Sequence, residues 1–201
     1  MEKKAKIAIG VGVVLLVGAT VVIFRKDIAA ALKRTFKGYT WFEDGLAWYR
    51  DSKNRAKVEA LHPAYQDNIK EFFSWIEKNT PYNVIVTSGY RTFEHQAELY
   101  KENSKNAPAG KSNHNYGFAV DINLRHKKTG ERLKKASSKS KWLATGIPQQ
   151  AKKMGIDWGG DFNSYHDPIH FYKANMPSTT QMYALHQAGK VDNKGYVKIA
   201  A

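Results

Sequence analysis

The chain has 201 residues, a net charge of +14 and no cysteine. That length suits one domain with a sizeable core plus appendages, and a 42% hydrophobic composition excludes wholesale disorder. Without cysteine there is no disulfide framework, and any metal site must be built from His, Asp and Glu. The positive charge favours anionic partners in general: nucleic acid, anionic lipid or cell-envelope polymer. No nucleic-acid-binding signature accompanies it, so nucleic acid ranks last.

The first element is the uncharged apolar run from Ile7 to Phe24, preceded by lysines and followed by Arg25 and Lys26. It is long enough to cross a bilayer, which needs roughly 17–25 residues, and it shows no clear cleavage site. Residues 1–26 are therefore expected to form an uncleaved transmembrane helix that places the chain in a lipid bilayer. Residues 27–59 read as a connector, with "DIAAALKRTF" helical. Trp41, Phe42, Trp48 and Tyr49 sit either at the membrane interface or on the main domain.

The main domain is expected over 60–175. In "LHPAYQDNIKEFFSWIEKN", Tyr65, Ile69, Phe72, Phe73 and Ile76 recur at helical spacing. "YNVIVTSGYR" reads as a strand, and "TFEHQAELYKEN" as a helix with Thr92 as N-cap. "GFAVDINL" is a second strand. "PQQAKKMG" is a short helix opened by Pro148 and closed by Gly155, and "IHFYK" is a last strand. Residues 176–201 hold a C-terminal helix, "STTQMYALHQAG", and a tail. Short strands and helices without βαβ alternation predict an α+β fold.

The chemistry concentrates in two stretches. A catalytic zinc site generally has three protein ligands and an open position for water. His114 and Asp121 can supply two ligands from one loop–strand unit, and His170 a third. Asp167, in "HDPIHF", can serve as general base toward a water whose pKa zinc lowers to roughly 7. His166 is a competitor for ligation or support, with an exposed loop histidine as the plainer reading. His62, His95, His126 and His186 read as structural.

The residues around these positions are more specific than the spacing. "SNHNYGFAVD" resembles the SxHxxGxAxD signature of the zinc D-Ala-D-Ala carboxypeptidase and L-alanyl-D-glutamate peptidase family. "DPIHF" resembles that family's second motif. "SGYRT", followed by Gln96 and Tyr100, is similar to its upstream block, and "WGGDF" to a segment of its phage endolysin-like branch. The order of all four blocks matches, across residues 60–173. The resemblance implies the D-Ala-D-Ala peptidase/hedgehog-like fold, a small antiparallel sheet flanked by helices, with Zn2+ held by His114, Asp121 and His170 and Asp167 as base. It also implies that Arg91 faces the substrate carbonyl or developing oxyanion, with a salt bridge inside the domain as the plainer reading. Ser112, Gln96 and Tyr116 become candidate substrate contacts, and Gly117 a turn residue that cannot carry a Cβ.

The implied function is hydrolysis of peptidoglycan stem peptides. Asp rather than Glu at the base position looks like the family's endopeptidase branch more than its dipeptidase branch, so an L-alanyl-D-glutamate endopeptidase is the expectation, with a D-Ala-D-Ala carboxypeptidase, which shares the ligand set, as the nearest rival. A zinc-bound envelope or virion protein without turnover is the non-enzymatic alternative. The substrate sets the expected location: anchored by residues 7–24, with the domain facing the wall across a cytoplasmic membrane or, for a phage protein, a virion membrane. The basic stretch "RHKKTGERLKKASSKSK", residues 125–141, can grip anionic wall polymer or lipid, or be a solvated loop.

Overall fold

The computed structural model describes residues 46–199 and three short stretches, 6–8, 13–17 and 20–21. Those stretches are strands: β1 (Lys6–Ala8), β2 (Val13–Val17) and β3 (Thr20–Val21), paired antiparallel in that order. This corrects the expectation of one helix across 7–24. No helix among the described residues is long and apolar enough to cross a membrane. The segment is rich in β-branched Val and Ile, and Gly10, Gly12 and Gly18 weaken a helix while permitting turns. An apolar run by itself does not distinguish helix from strand. The expected connector helix, Trp41 and Phe42 lie outside the described residues.

The rest of the chain folds around one sheet. α1 (Ala47–Arg50) and α2 (Ser52–Glu59) lead into α3 (Pro63–Asn79). His62 caps α3 by accepting a hydrogen bond from the Ala64 amide, and Pro63 fits the first turn, where its missing N–H costs nothing. The expected stripe of Tyr65, Ile69, Phe72, Phe73 and Ile76 is fully buried. It packs beneath β4 (Tyr82–Ser88) and β5 (Ala119–His126). β5 is the central strand. It pairs with β4 on one edge and with β6 (Arg132–Leu133) and β8 (His170–Lys173) on the other, and β7 (Ile156–Trp158) closes the sheet beyond β8. All pairings are antiparallel, as the α+β reading expects.

α4 (Phe93–Glu102) is capped by Thr92, as predicted. α5 (Lys139–Leu143) and α6 (Ile147–Lys153) follow the basic loop, and α7 (Thr179–Gln187) lies near the C-terminus. The shared core extends past residues 60–175: Leu46, Trp48 and Val58 join it from one side, Met182 and Val197 from the other. Trp48 stacks edge-on against Phe73, which gives it a place on the domain.

One buried carboxylate ties the leading helices to the sheet. Glu77 on α3 accepts hydrogen bonds from the amides of Ala47 (2.7 Å), Trp48 (3.1 Å) and Val84 (3.0 Å). Burial raises its pKa, and these bonds oppose that rise. Glu77→Ala strands three amides beneath the fold, so we expect a loss of about 3 kcal/mol or more in urea unfolding. A loss under 1 kcal/mol would show that water replaces the carboxylate there.

Candidate metal centre

Sheet register builds the site. Asp121 on β5 is the direct cross-strand partner of His170 on β8. Directly opposed residues in an antiparallel pair project to the same face, while their neighbours Val120, Ile122 and Phe171 turn to the core. His114 arrives from a short 3-10 helix, Asn113–Tyr116, which Ser112 caps and Gly117 ends in the left-handed region at φ 72°. A Cβ on Gly117 would fall on the His62 backbone nitrogen, so only glycine serves there.

Three donor atoms converge. His114 Nε2 lies 3.2 Å from Asp121 Oδ1 and 3.2 Å from His170 Nδ1, and His170 Nδ1 lies 3.0 Å from Asp121 Oδ1. Among the described residues this is the one cluster of His and acid side chains fit to hold a metal ion. Zinc ligands about 2.0–2.1 Å from a tetrahedral centre stand about 3.3 Å apart, so the triangle already has nearly that edge. The tautomer fits as well. His114 Nδ1 is 2.6 Å from the Gly89 carbonyl, to which it donates, leaving the Nε2 lone pair aimed at the cluster.

The electrostatics favour a neutral His114 and an ionised Asp121. Burial pushes the His114 pKa below the ordinary histidine value against the opposing pull of Asp121. Burial alone would raise Asp121, but the charges and hydrogen bonds of His114 and His170 outweigh it and hold the carboxyl well below its usual range. Asp121 has a second constraint: its Oδ2 accepts from Arg91 Nη2 at 2.7 Å, which reserves Oδ1 for the cluster.

Arg91 is therefore a support for a ligand as well as a lining residue of the cleft. Its Nε donates to Ser88 Oγ (2.9 Å) and its Nη1 to Gln96 Oε1 (3.3 Å). Gln96, buried, donates in turn to the Ala107 carbonyl at 2.6 Å, so it braces Arg91. Ser112 lines the cleft while capping the 3-10 helix. Tyr116, a candidate substrate contact in the sequence, is not among the residues lining the cleft. Its hydroxyl donates to the Gly110 carbonyl at 2.8 Å, its ring packs edge-on to Phe93, and its pKa is pushed up to about 12 by burial. His166 is exposed at the cleft wall, 3.4 Å from the Ser137 carbonyl and apart from the cluster.

Asp167 is held by the "WGGDF" block. Its amide donates to the Gly159 carbonyl at 3.3 Å, and Trp158 Nε1 donates to the Pro168 carbonyl at 2.8 Å. A Cβ on Gly159 would stand 2.7 Å from the Asp167 carbonyl oxygen and 2.9 Å from His170 Cβ, so the glycine makes room for both residues. Asp167 Oδ1 is buried with no hydrogen-bond partner in the fold, and its Oδ2 lies 3.5 Å from Lys135 Nζ. An orphaned carboxylate oxygen beside the ligand triangle suits a group that acts on water or substrate. Phe162 and Tyr172 flank the His170 ring at centroid distances of 5.9 and 5.4 Å and help fix its orientation. These residues border a cleft of about 750 Å³.

Three His/Asp donors beside a carboxylate that keeps one oxygen unpartnered, at an open cleft, define a metallohydrolase. The comparisons give the family. A family model described as D-alanyl-D-alanine carboxypeptidase matches residues 105–173. The peptidoglycan L-alanyl-D-glutamate endopeptidase CwlK of Bacillus subtilis (strain 168) is 33% identical over 123 residues, covering 55% of this chain and 71% of CwlK. The chain belongs to this family of zinc metallopeptidases. Two solved structures are also similar. The Serratia marcescens L-Ala D-Glu endopeptidase ChiX gives a TM-score of 0.47 at 20% identity over 61% of this chain and 87% of ChiX. A variant of the vancomycin-resistance D,D-pentapeptidase VanY with Zn(II) gives 0.44 at 19% identity over 62% of this chain and 78% of VanY.

The residues fit the family's cofactor, zinc, and we expect one ion per chain. His114→Ala should lose most bound zinc by elemental analysis, and full retention would remove the assignment. Because His114 titrates below the ordinary value near 6.5, no proton needs displacing from it at neutral pH. Affinity should hold at pH 7 and weaken in acid, where the ligands take up protons, read by chelator competition.

Proposed function

We propose that the chain cuts peptidoglycan stem peptides at the L-alanyl–D-glutamate bond, with His114, Asp121 and His170 holding zinc and Asp167 as the catalytic acid–base. The observation that carries this reading is the 33% identity to an L-alanyl-D-glutamate endopeptidase across 71% of that protein's length. The unpartnered Oδ1 of Asp167 supports the assignment of the base.

Zinc, when bound, supplies Lewis acidity to the scissile carbonyl and acidifies water. The chain's own residues do the rest. Asp167 accepts the proton of the attacking water and returns it to the leaving nitrogen. Arg91 keeps Asp121 oriented and adds a fixed positive charge at the cleft wall, where the carbonyl oxygen gains negative charge. Gly89 fixes the His114 tautomer.

A D-Ala-D-Ala carboxypeptidase is the second reading, favoured by the description of the family model that matches residues 105–173. Mass spectrometry of digested muropeptides separates the two: loss of a terminal D-Ala residue, or release of a peptide beginning at D-Glu.

Stem peptides lie outside the cytoplasmic membrane, so we place the working domain there. The apolar run at 7–24 is the proposed means of retention. Its hydrophobicity supports this, although no helix among the described residues is long and apolar enough to cross a membrane. Protease added to intact spheroplasts should digest the domain, whereas protection until lysis would place it inside.

Asp167→Ala should keep its zinc and lose about 10²–10⁴-fold in turnover on purified muropeptides. Full activity with normal zinc content would transfer the proton role elsewhere.

A further inference from the structure

The Lys135 ammonium stands beside Asp167, 3.5 Å from its Oδ2, near the start of the basic loop that crosses from β6 to α5. Its side chain is 62% exposed and faces the cleft, so water and substrate can reach it. Lys139, four residues on, is instead committed to Asp161 at 2.8 Å, and Lys141 points to Glu131 at 3.8 Å. Lys111, also at the cleft, donates to Thr180 Oγ1 at 2.8 Å. Lys135 is thus the loop cation set next to the proton-transfer group.

We propose that Lys135 recognises the free α-carboxylate of the residue whose nitrogen leaves, and so makes that carboxylate a requirement for efficient cleavage. This rests on the assignment of Asp167 as the group that protonates the leaving nitrogen. That nitrogen must come within hydrogen-bond reach of Asp167, which places its substituents near any cation held 3.5 Å from the same carboxylate. In a stem peptide the D-Glu residue is linked onward through its γ-carboxyl. Its α-carboxylate is therefore free and sits one carbon from the scissile nitrogen. A charge-assisted hydrogen bond from Lys135 would hold it there. In the free protein Lys135 lies against Asp167. An arriving carboxylate draws it toward the substrate, leaving Asp167 to its proton.

The test compares two synthetic N-acetylmuramoyl peptides that differ in one group: D-Glu with its α-carboxyl free, or the same residue as the α-amide. Zinc-loaded full-length chain should cleave the carboxylate form with a kcat/KM higher by about tenfold, the scale of one charge-assisted contact. Lys135→Ala should collapse that ratio to about one, Lys135→Arg should retain much of it, and Lys135→Glu should favour the amide. If Lys135 acts only by adjusting Asp167, its removal slows both substrates alike and leaves the ratio intact, which overturns the proposal. Zinc content checks each variant's fold. A second readout is calorimetric binding of the released D-Glu peptide, acid against amide, with the same expected order.

Should the protein prove to cut only a terminal D-Ala, the bond assignment under Proposed function fails. The proposal is then read on the terminal carboxylate against the terminal carboxamide, where the leaving residue carries its α-carboxylate in the same relation to its nitrogen. An unchanged ratio in Lys135→Ala overturns it there too.

Discussion

Asp121 is the pivot of the site because its two oxygens are given different work. Oδ1 faces the nitrogens of His114 and His170, and Oδ2 is held by Arg91. A carboxylate free to rotate could present either oxygen to a metal or chelate with both. The guanidinium removes that freedom, and Ser88 and Gln96 remove the guanidinium's own. The geometry of the ligand triangle therefore depends on side chains that do not touch it, as metal sites commonly require.

Backbone constraints serve the same end. Arg91 N–H donates to the His114 carbonyl at 3.0 Å, and Asn115 Nδ2 donates to the Arg91 and Thr92 carbonyls. The loop after β4 and the loop before β5 thus move as one piece. Gly117 lets the second loop press against the start of α3, and Gly159 lets the last loop press against Asp167 and His170. The two glycines act differently: Gly117 supplies a left-handed backbone and space, whereas Gly159 supplies space alone.

Much of this was legible in the residues. The stripe on α3, the N-cap at Thr92 and the α+β class follow from periodicity and cap chemistry, and the His114–Asp121–His170 set from donor type together with the resemblance of the blocks around it. The misses have physical causes. The run at 7–24 is apolar enough for a bilayer, but hydrophobicity carries no period there, and β-branched residues separated by glycine pair as strands. Tyr116 lies two residues after the cleft-facing His114, yet on a 3-10 turn successive residues point in different directions, and its ring packs against Phe93. Gln96 and Arg91 could be flagged as polar residues of one block. Only the fold reveals that they brace each other and Asp121. Lys135 lies in a run of lysines whose composition gives no way to choose among them.

That choice bears on how a charge of +14 should be read. A run of bases suggests a uniform adhesive patch, but side-chain geometry divides this one. Lys139 and Lys152 both close on Asp161, at 2.8 and 2.6 Å, and so spend their charge pinning the "WGGDF" block that carries Asp167. Exposed pairs of this kind contribute little stability individually, yet here two of them converge on one carboxylate and fix a segment next to the site. Lys135 and Arg91 face the cleft, where the acids are a ligand and the proposed base. With zinc's two positive charges added, the cleft holds more cationic than anionic charge. An excess confined to a cleft concentrates an anionic substrate where field lines are focused, whereas the same charge spread over the surface would attract every polyanion alike. The local arrangement of Lys135, Arg91, Asp121 and Asp167 therefore says more about the substrate than the net charge does.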